Sequence, residues 1–149
     1  MFEYNAEIIR VVDGDTLVAL IDVGFHTHVK STLRLYGINT PEKRTRNLEE
    51  KEKGIAASER VSELLKLCDN KVRLNSHGLG KFGRCLAEIS IKTPAGESIN
   101  LNRRLVEEGH AVAYFGGSKE EIQDKHMANR KKLIREGLVD VSLEEAGIV

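Results

Sequence analysis

The sequence has no tryptophan, and it carries only two prolines, two cysteines and two methionines. Cys68 and Cys85 lie far apart, with no partner at metal-type spacing, which argues against a zinc module or a disulfide scaffold and for reduced, buried thiols. No apolar run approaches the roughly 20 residues a membrane helix needs, so no membrane partner is expected. Charge of one sign is also missing. Lys and Arg total 23, Asp and Glu total 23, and the formal net charge is zero. A nucleic-acid binder usually shows a basic excess. Its absence argues against tight, non-specific binding along a long duplex but not against a local basic cleft, because the field at a site depends on where charges sit. The N-terminal MFEYNAEII has neither a basic n-region nor an apolar h-region, so it does not read as a secretory signal. A cytoplasmic location is expected, with a processed form of a secreted protein as the alternative.

What is present is one domain's worth of chain, 149 residues, long enough to bury a core. It is organised around Arg34 to Glu42, RLYGINTPE. The stretch begins as a strand, with Arg34 facing away from Leu33 and Leu35 because strand side chains alternate. Gly37 lets the backbone bend, and Pro41 restricts Thr40 to extended geometry. Arg34, Asn39, the Thr40 carbonyl and Glu42 leave one strand end together, an arrangement suited to a hard cation beside a phosphate. Asp13-Gly14-Asp15-Thr16 upstream can complete it.

Read in order, residues 2–12, 15–23 and about 29–38 are strands, and residues 43–53 are a charged surface loop. A helix is expected after Gly54, where Ala57, Val61, Leu64, Leu65 and Cys68 recur at helical spacing. Residues 71–76 and 84–92 alternate as strands, residues 98–109 read as a second helix, and Ala111 to Phe115 is a short apolar piece. Ser118 with Glu121 begins a third helix, as a capping box, running to about Glu136. The order predicts an α+β, mainly β chain: a five-stranded OB-type barrel with three helices. The domain is placed at residues 1–138 and a tail at 139–149.

Asp15, Asn39 and the Thr40 carbonyl are oxygen donors, which suit Ca²⁺ or Mg²⁺, although Asp and Asn are also ordinary turn formers. Arg34 and Arg84 sit at strand positions. Two guanidinium forks on one phosphate would stabilise charge developing at phosphorus; ion pairs with Glu88 or other acids are the structural alternative. Glu42 is placed to take a proton from an attacking water, or is simply a solvated loop acid. Lys43 and Arg44 can touch nucleic-acid phosphates, and Tyr114 can stack on a base. His77, His110 and His126 stand alone and are expected to be structural.

Together VVDGDT, RLYGINTPE, the Gly54–Cys68 helix, KFGRCLAEI and INLNRRLVEEGHAVAY resemble the staphylococcal nuclease (thermonuclease) family, from about Val11 to about Leu138. The resemblance implies an OB-type barrel and a Ca²⁺-dependent phosphodiesterase acting on DNA and RNA and leaving 3′-phosphate ends. It implies Asp15 and the Thr40 carbonyl as metal ligands, Glu42 as general base, Arg34 and Arg84 as phosphate-binding arginines, and Tyr114 near the nucleotide pocket. One position departs. The family's second metal-binding Asp falls on Asn39, which removes a negative charge and is expected to weaken calcium binding or shift it to another divalent cation. The alternative reading is an OB-fold module that binds nucleic acid or protein with little or no catalysis. A monomer is expected.

Overall fold

A computed structural model describes residues 2–80 and 83–114, together with His126, Asn129 and Leu133. In chain order the elements are β1 (Phe2–Asp13), β2 (Thr16–Asp22), β3 (His28–Leu35), β4 (Ile38–Asn39), α1 (Leu48–Lys66), β5 (Lys71–Leu79), β6 (Cys85–Lys92), β7 (Ser98–Asn100), α2 (Leu101–Glu107) and β8 (Val112–Ala113). The sheet order β3-β2-β1-β5-β6 closes on itself because β6 pairs back onto β3. That closing pair is parallel, Leu33 to Cys85 through Leu35 to Ala87, while the other barrel pairs are antiparallel. The result is a closed five-stranded mixed barrel, mainly β, with helices outside it, consistent with the OB-type expectation. Closure leaves the barrel no exposed edge across β3 and the first half of β6. The second half of β6 pairs with β7 instead.

Strand alternation decides what is inside. Leu17, Leu33, Leu35, Leu74, Ile89 and Ile91 are essentially fully buried. Each such side chain contributes about 1.5–3 kcal/mol by leaving water. α1 adds Val61, Leu64 and Leu65 to the same core.

The helices differ from the sequence expectation. α1 begins at Leu48, inside the stretch expected to be a loop, because Asn47 caps it: its side chain accepts from the Glu49 and Glu50 amides at 3.0 and 3.2 Å. The two glutamates also suit the positive end of the helix. Charge density was the wrong cue here, since a polar first turn needs only a cap and one buried face further on. Residues 98–109 divide into β7 and the shorter α2, whose cap is Asn100. Two helices are therefore found among the described residues, not three. The third expected helix, 118–136, lies outside them except for His126, Asn129 and Leu133, each of which is helical. The 139–149 tail also lies outside the described residues.

α1 and α2 are clamped to each other by Arg60 and Glu108, with Nε–Oε1 at 2.6 Å and Nη2–Oε2 at 2.9 Å. Burial pushes the Glu108 carboxyl up, but the Arg60 hydrogen bonds and charge outweigh it and hold the group below its ordinary 4.5. A carboxyl depressed by folding stabilises the fold above its unfolded pKa, and that contribution is lost as pH falls through the folded value. Glu108→Gln is expected to cost about 1 kcal/mol or less at neutral pH, the pair being partly solvated. The difference from the parent should shrink towards zero as urea melts are taken down to about pH 3. An equal gap at both pH values would refute the ion-pair account.

Candidate active site

The β1–β2 turn, the end of β3 and the segment after β4 meet at one end of the barrel. Asp15 joins them. Its Oδ2 accepts from the Thr40 amide at 2.9 Å and lies 3.2 Å from Arg34 Nη1, and its Oδ1 accepts from the Thr16 hydroxyl at 3.0 Å. The Asp15 carbonyl accepts from the Leu35 amide at 2.8 Å, which fixes the turn against β3. Asp15 and Thr40 are buried. A buried carboxylate is tolerated only when paired and hydrogen-bonded, and this one is both.

The chain reaches this geometry through local turns. Gly37, at φ 77°, ends β3 and starts β4. Asn39 then pairs with Val112 of β8, and the Tyr114 amide donates to the Gly37 carbonyl at 2.9 Å. The Asn102 side chain continues the β3–β6 ladder where β3 stops. Its Nδ2 donates to the Tyr36 and Ala87 carbonyls at 2.9 and 3.0 Å, and its Oδ1 accepts from the Ile89 amide at 3.1 Å. Nothing in the sequence marked Asn102.

Arg84 immediately precedes β6. Its register places it two residues before Leu86, the parallel partner of Arg34; alternation puts Arg34 and Leu86 on the outer face of the barrel, and Arg84 is half-buried. The two arginines therefore flank one surface patch. Glu42 is exposed on the following loop, where its amide donates to Glu50 Oε1 at 3.3 Å. Among the described residues its carboxylate has no hydrogen bond or ion pair. The Lys43 amide donates to Asp13 Oδ1 at 3.4 Å, and Arg44 is exposed. Lys81 and Phe82 of the KFGR motif lie outside the described residues.

His126 is not the isolated residue it looks in the sequence. It is buried, and its Nε2 lies 2.9 Å from Asn39 Oδ1 across 87 positions of sequence. An amide oxygen only accepts, so Nε2 carries the proton. Burial first, then the nearby Lys53 charge, lower its pKa to about 4 against the opposing pull of Asp15, so the imidazole is neutral at pH 7. No spacing rule could have paired these residues.

The oxygens that could hold a cation are the Asp15 carboxylate, the Asn39 amide oxygen and the Thr40 carbonyl. All are hard oxygens, and the Thr40 hydroxyl is buried with no hydrogen-bond partner among the described residues. The set fits a hard divalent ion. It brings one formal negative charge, which Arg34 partly offsets, and the Asn39 oxygen is shared with His126. Among the described residues no three His, Cys, Asp or Glu side chains cluster as a metal site. A cleft of about 1040 Å³ lies at the other end of the barrel, near Asp22, His28 and Lys92, away from this chemistry.

Residues 32–140 match the family model described as staphylococcal nuclease homologue. This chain belongs to the staphylococcal nuclease family. No curated protein matches it as a relative. In this staphylococcal nuclease homologue the matched span starts beyond Asp15, and the fold brings that residue back onto Arg34 and Thr40. The nuclease-type barrel and a nucleic-acid ligand follow from the family at that coarse level.

Two glycines hold α1 against the site. A Cβ on Gly54 would lie 2.6 Å from the Glu42 carbonyl group and 2.7 Å from the Lys43 amide, all backbone atoms. A Cβ on Gly14 would lie 2.8 Å from Ala57 Cβ. Gly54→Ala must therefore push α1 away from the Glu42 loop. The expected loss is about 1–3 kcal/mol, as for other overpacked sites, read from urea unfolding. An unchanged midpoint would show that the helix does not rest on that loop.

Proposed function

We propose that this protein is a metal-dependent phosphodiesterase that hydrolyses DNA, RNA or both. The observation that carries this reading is the Asp15–Arg34–Thr40 cluster, with Arg34 Nη1 3.2 Å from Asp15 Oδ2 and Arg84 two residues before Leu86, the strand partner of Arg34. Arg34 and Arg84 bind the non-bridging oxygens of the scissile phosphate and stabilise the charge that builds there. Glu42, exposed and unencumbered, takes a proton from the attacking water. The water oxygen forms the new bond to phosphorus, the bond to the 5′ oxygen breaks, and that oxygen is protonated from solvent, leaving a 3′-phosphate end. Arginine is too weak an acid to supply the proton. Asp15, Asn39 and the Thr40 carbonyl would hold Ca²⁺, or Mg²⁺ or another divalent ion; bound there, the ion supplies Lewis-acid polarisation of a phosphate oxygen. Lys43, Arg44 and Tyr114 contact the flanking strand.

The test is digestion of single-stranded DNA and of RNA with Ca²⁺, with Mg²⁺ and with EDTA. Cleavage that EDTA abolishes is expected. Glu42→Ala and Arg84→Ala should each slow it by about 10²- to 10⁴-fold. Asn39→Asp should tighten calcium binding, because it restores a ligand charge. A parent protein that cuts neither substrate with any cation, or a Glu42→Ala variant at full rate, would overturn the reading.

A further inference from the structure

β4 and β8 pair over only two residues each, Ile38 with Ala113 and Asn39 with Val112. So short a ladder is marginal on its own, yet it carries Asn39, one of the proposed cation ligands. Three helical residues brace it. His126, Asn129 and Leu133 stand at i, i+3 and i+7, on one face of a helix. Leu133 is fully buried. Asn129 Nδ2 donates to the Ala111 carbonyl at 3.1 Å, just before β8. The buried His126 donates from Nε2 to Asn39 Oδ1 of β4, 2.9 Å away. One brace thus reaches both strands, and on β4 it acts on the ligand side chain itself.

We propose that His126 is a positioning residue for the cation, holding the Asn39 amide with its oxygen, not its nitrogen, available to the ion; this rests on the metal site of the nuclease reading. A carboxylate needs no such help, because either of its oxygens can face a cation. An amide has one oxygen and one NH₂ group, and only the oxygen can ligate. Turned by half a rotation, Asn39 would aim N–H donors at the ion site. It would also have a strong acceptor nearby, since Asp15 Oδ2 already takes the amide of the next residue, Thr40, at 2.9 Å. His126 excludes that state: with its proton on Nε2, the turned amide would set N–H against N–H. In the observed state Oδ1 gives one lone pair to His126 and keeps the other for a cation. The Thr40 carbonyl follows on the next residue, so a single brace steadies two of the three ligands. Hydrogen bonds of this kind orient ligands around bound metals, and losing one weakens binding by about 10- to 100-fold. Asn39 and His126 form a matched pair: the imidazole gives the amide a fixed orientation that a carboxylate would not need.

The experiment is calorimetric titration of the full chain with Ca²⁺ and with Mg²⁺, with digestion of single-stranded DNA measured in parallel. His126→Leu and His126→Phe keep bulk but lose the donor, and each should weaken binding by about 10- to 100-fold. His126→Gln keeps a side-chain N–H and should recover most of that loss. In an Asn39→Asp background the same two removals should change affinity by no more than about twofold, because a carboxylate has no wrong way round. Melting curves identify the folded variants, and two removal variants guard against one that fails to fold. A brace that is merely structural would cost the same in both backgrounds, and that result overturns the inference. So does a His126→Leu protein that binds as the parent does. If the parent binds a cation with the expected coupling but cuts no substrate, the inference stands and the nuclease reading fails. If it cuts and the coupling is absent, the nuclease reading stands and the inference fails. A parent that binds neither ion overturns the inference and the metal site together.

Discussion

The buried Asp15 carboxylate is the constraint on which this end of the molecule depends. It has left water, so it must be matched by a cation and by hydrogen-bond donors. Arg34, the Thr40 amide and the Thr16 hydroxyl meet that need. Three segments distant in sequence are thereby drawn to one point. Of these, Arg34 is also a group that the proposed substrate phosphate would engage. Fold stability and the proposed chemistry therefore compete for Arg34.

Close backbone approach is the second requirement. α1 lies against the Glu42–Lys43 backbone with only a hydrogen of Gly54 between them, and the Gly14 turn fits against Ala57 in the same way. A helix beginning at Asn47 makes this possible, because it brings Gly54 to the loop in its second turn. The loop carrying Glu42 is short and backed by a helix, so its carboxylate is exposed without being adrift.

The outer face of β3, β6 and β5 gives the proposed reaction its surroundings. Arg34 and Arg84 stand at one end, and His77 stacks on Tyr36 at the other. Asn102 keeps the two registered by completing the ladder beyond Leu35.

The sequence by itself determined the elements whose signals are local. Alternation marked β3, β5 and β6, Gly37 and Pro41 marked the turn around Thr40, and the apolar stripe marked the buried face of α1. Motif order was enough to reach the family and the barrel. The start of α1 was also legible in Asn47, Glu49 and Glu50, but the dense charge around them obscured it. The division of residues 98–109 was not marked, since Ser98–Asn100 becomes a strand only by pairing with β6. Only the tertiary structure decided that β6 closes onto β3 in parallel, that Asn102 splices the ladder, that His126 holds Asn39 and that His77 stacks on Tyr36. Periodicity and capping report on residues a few positions apart. Contacts across many tens of positions depend on which strands pair and in what register, and that is set by burial of the whole core at once.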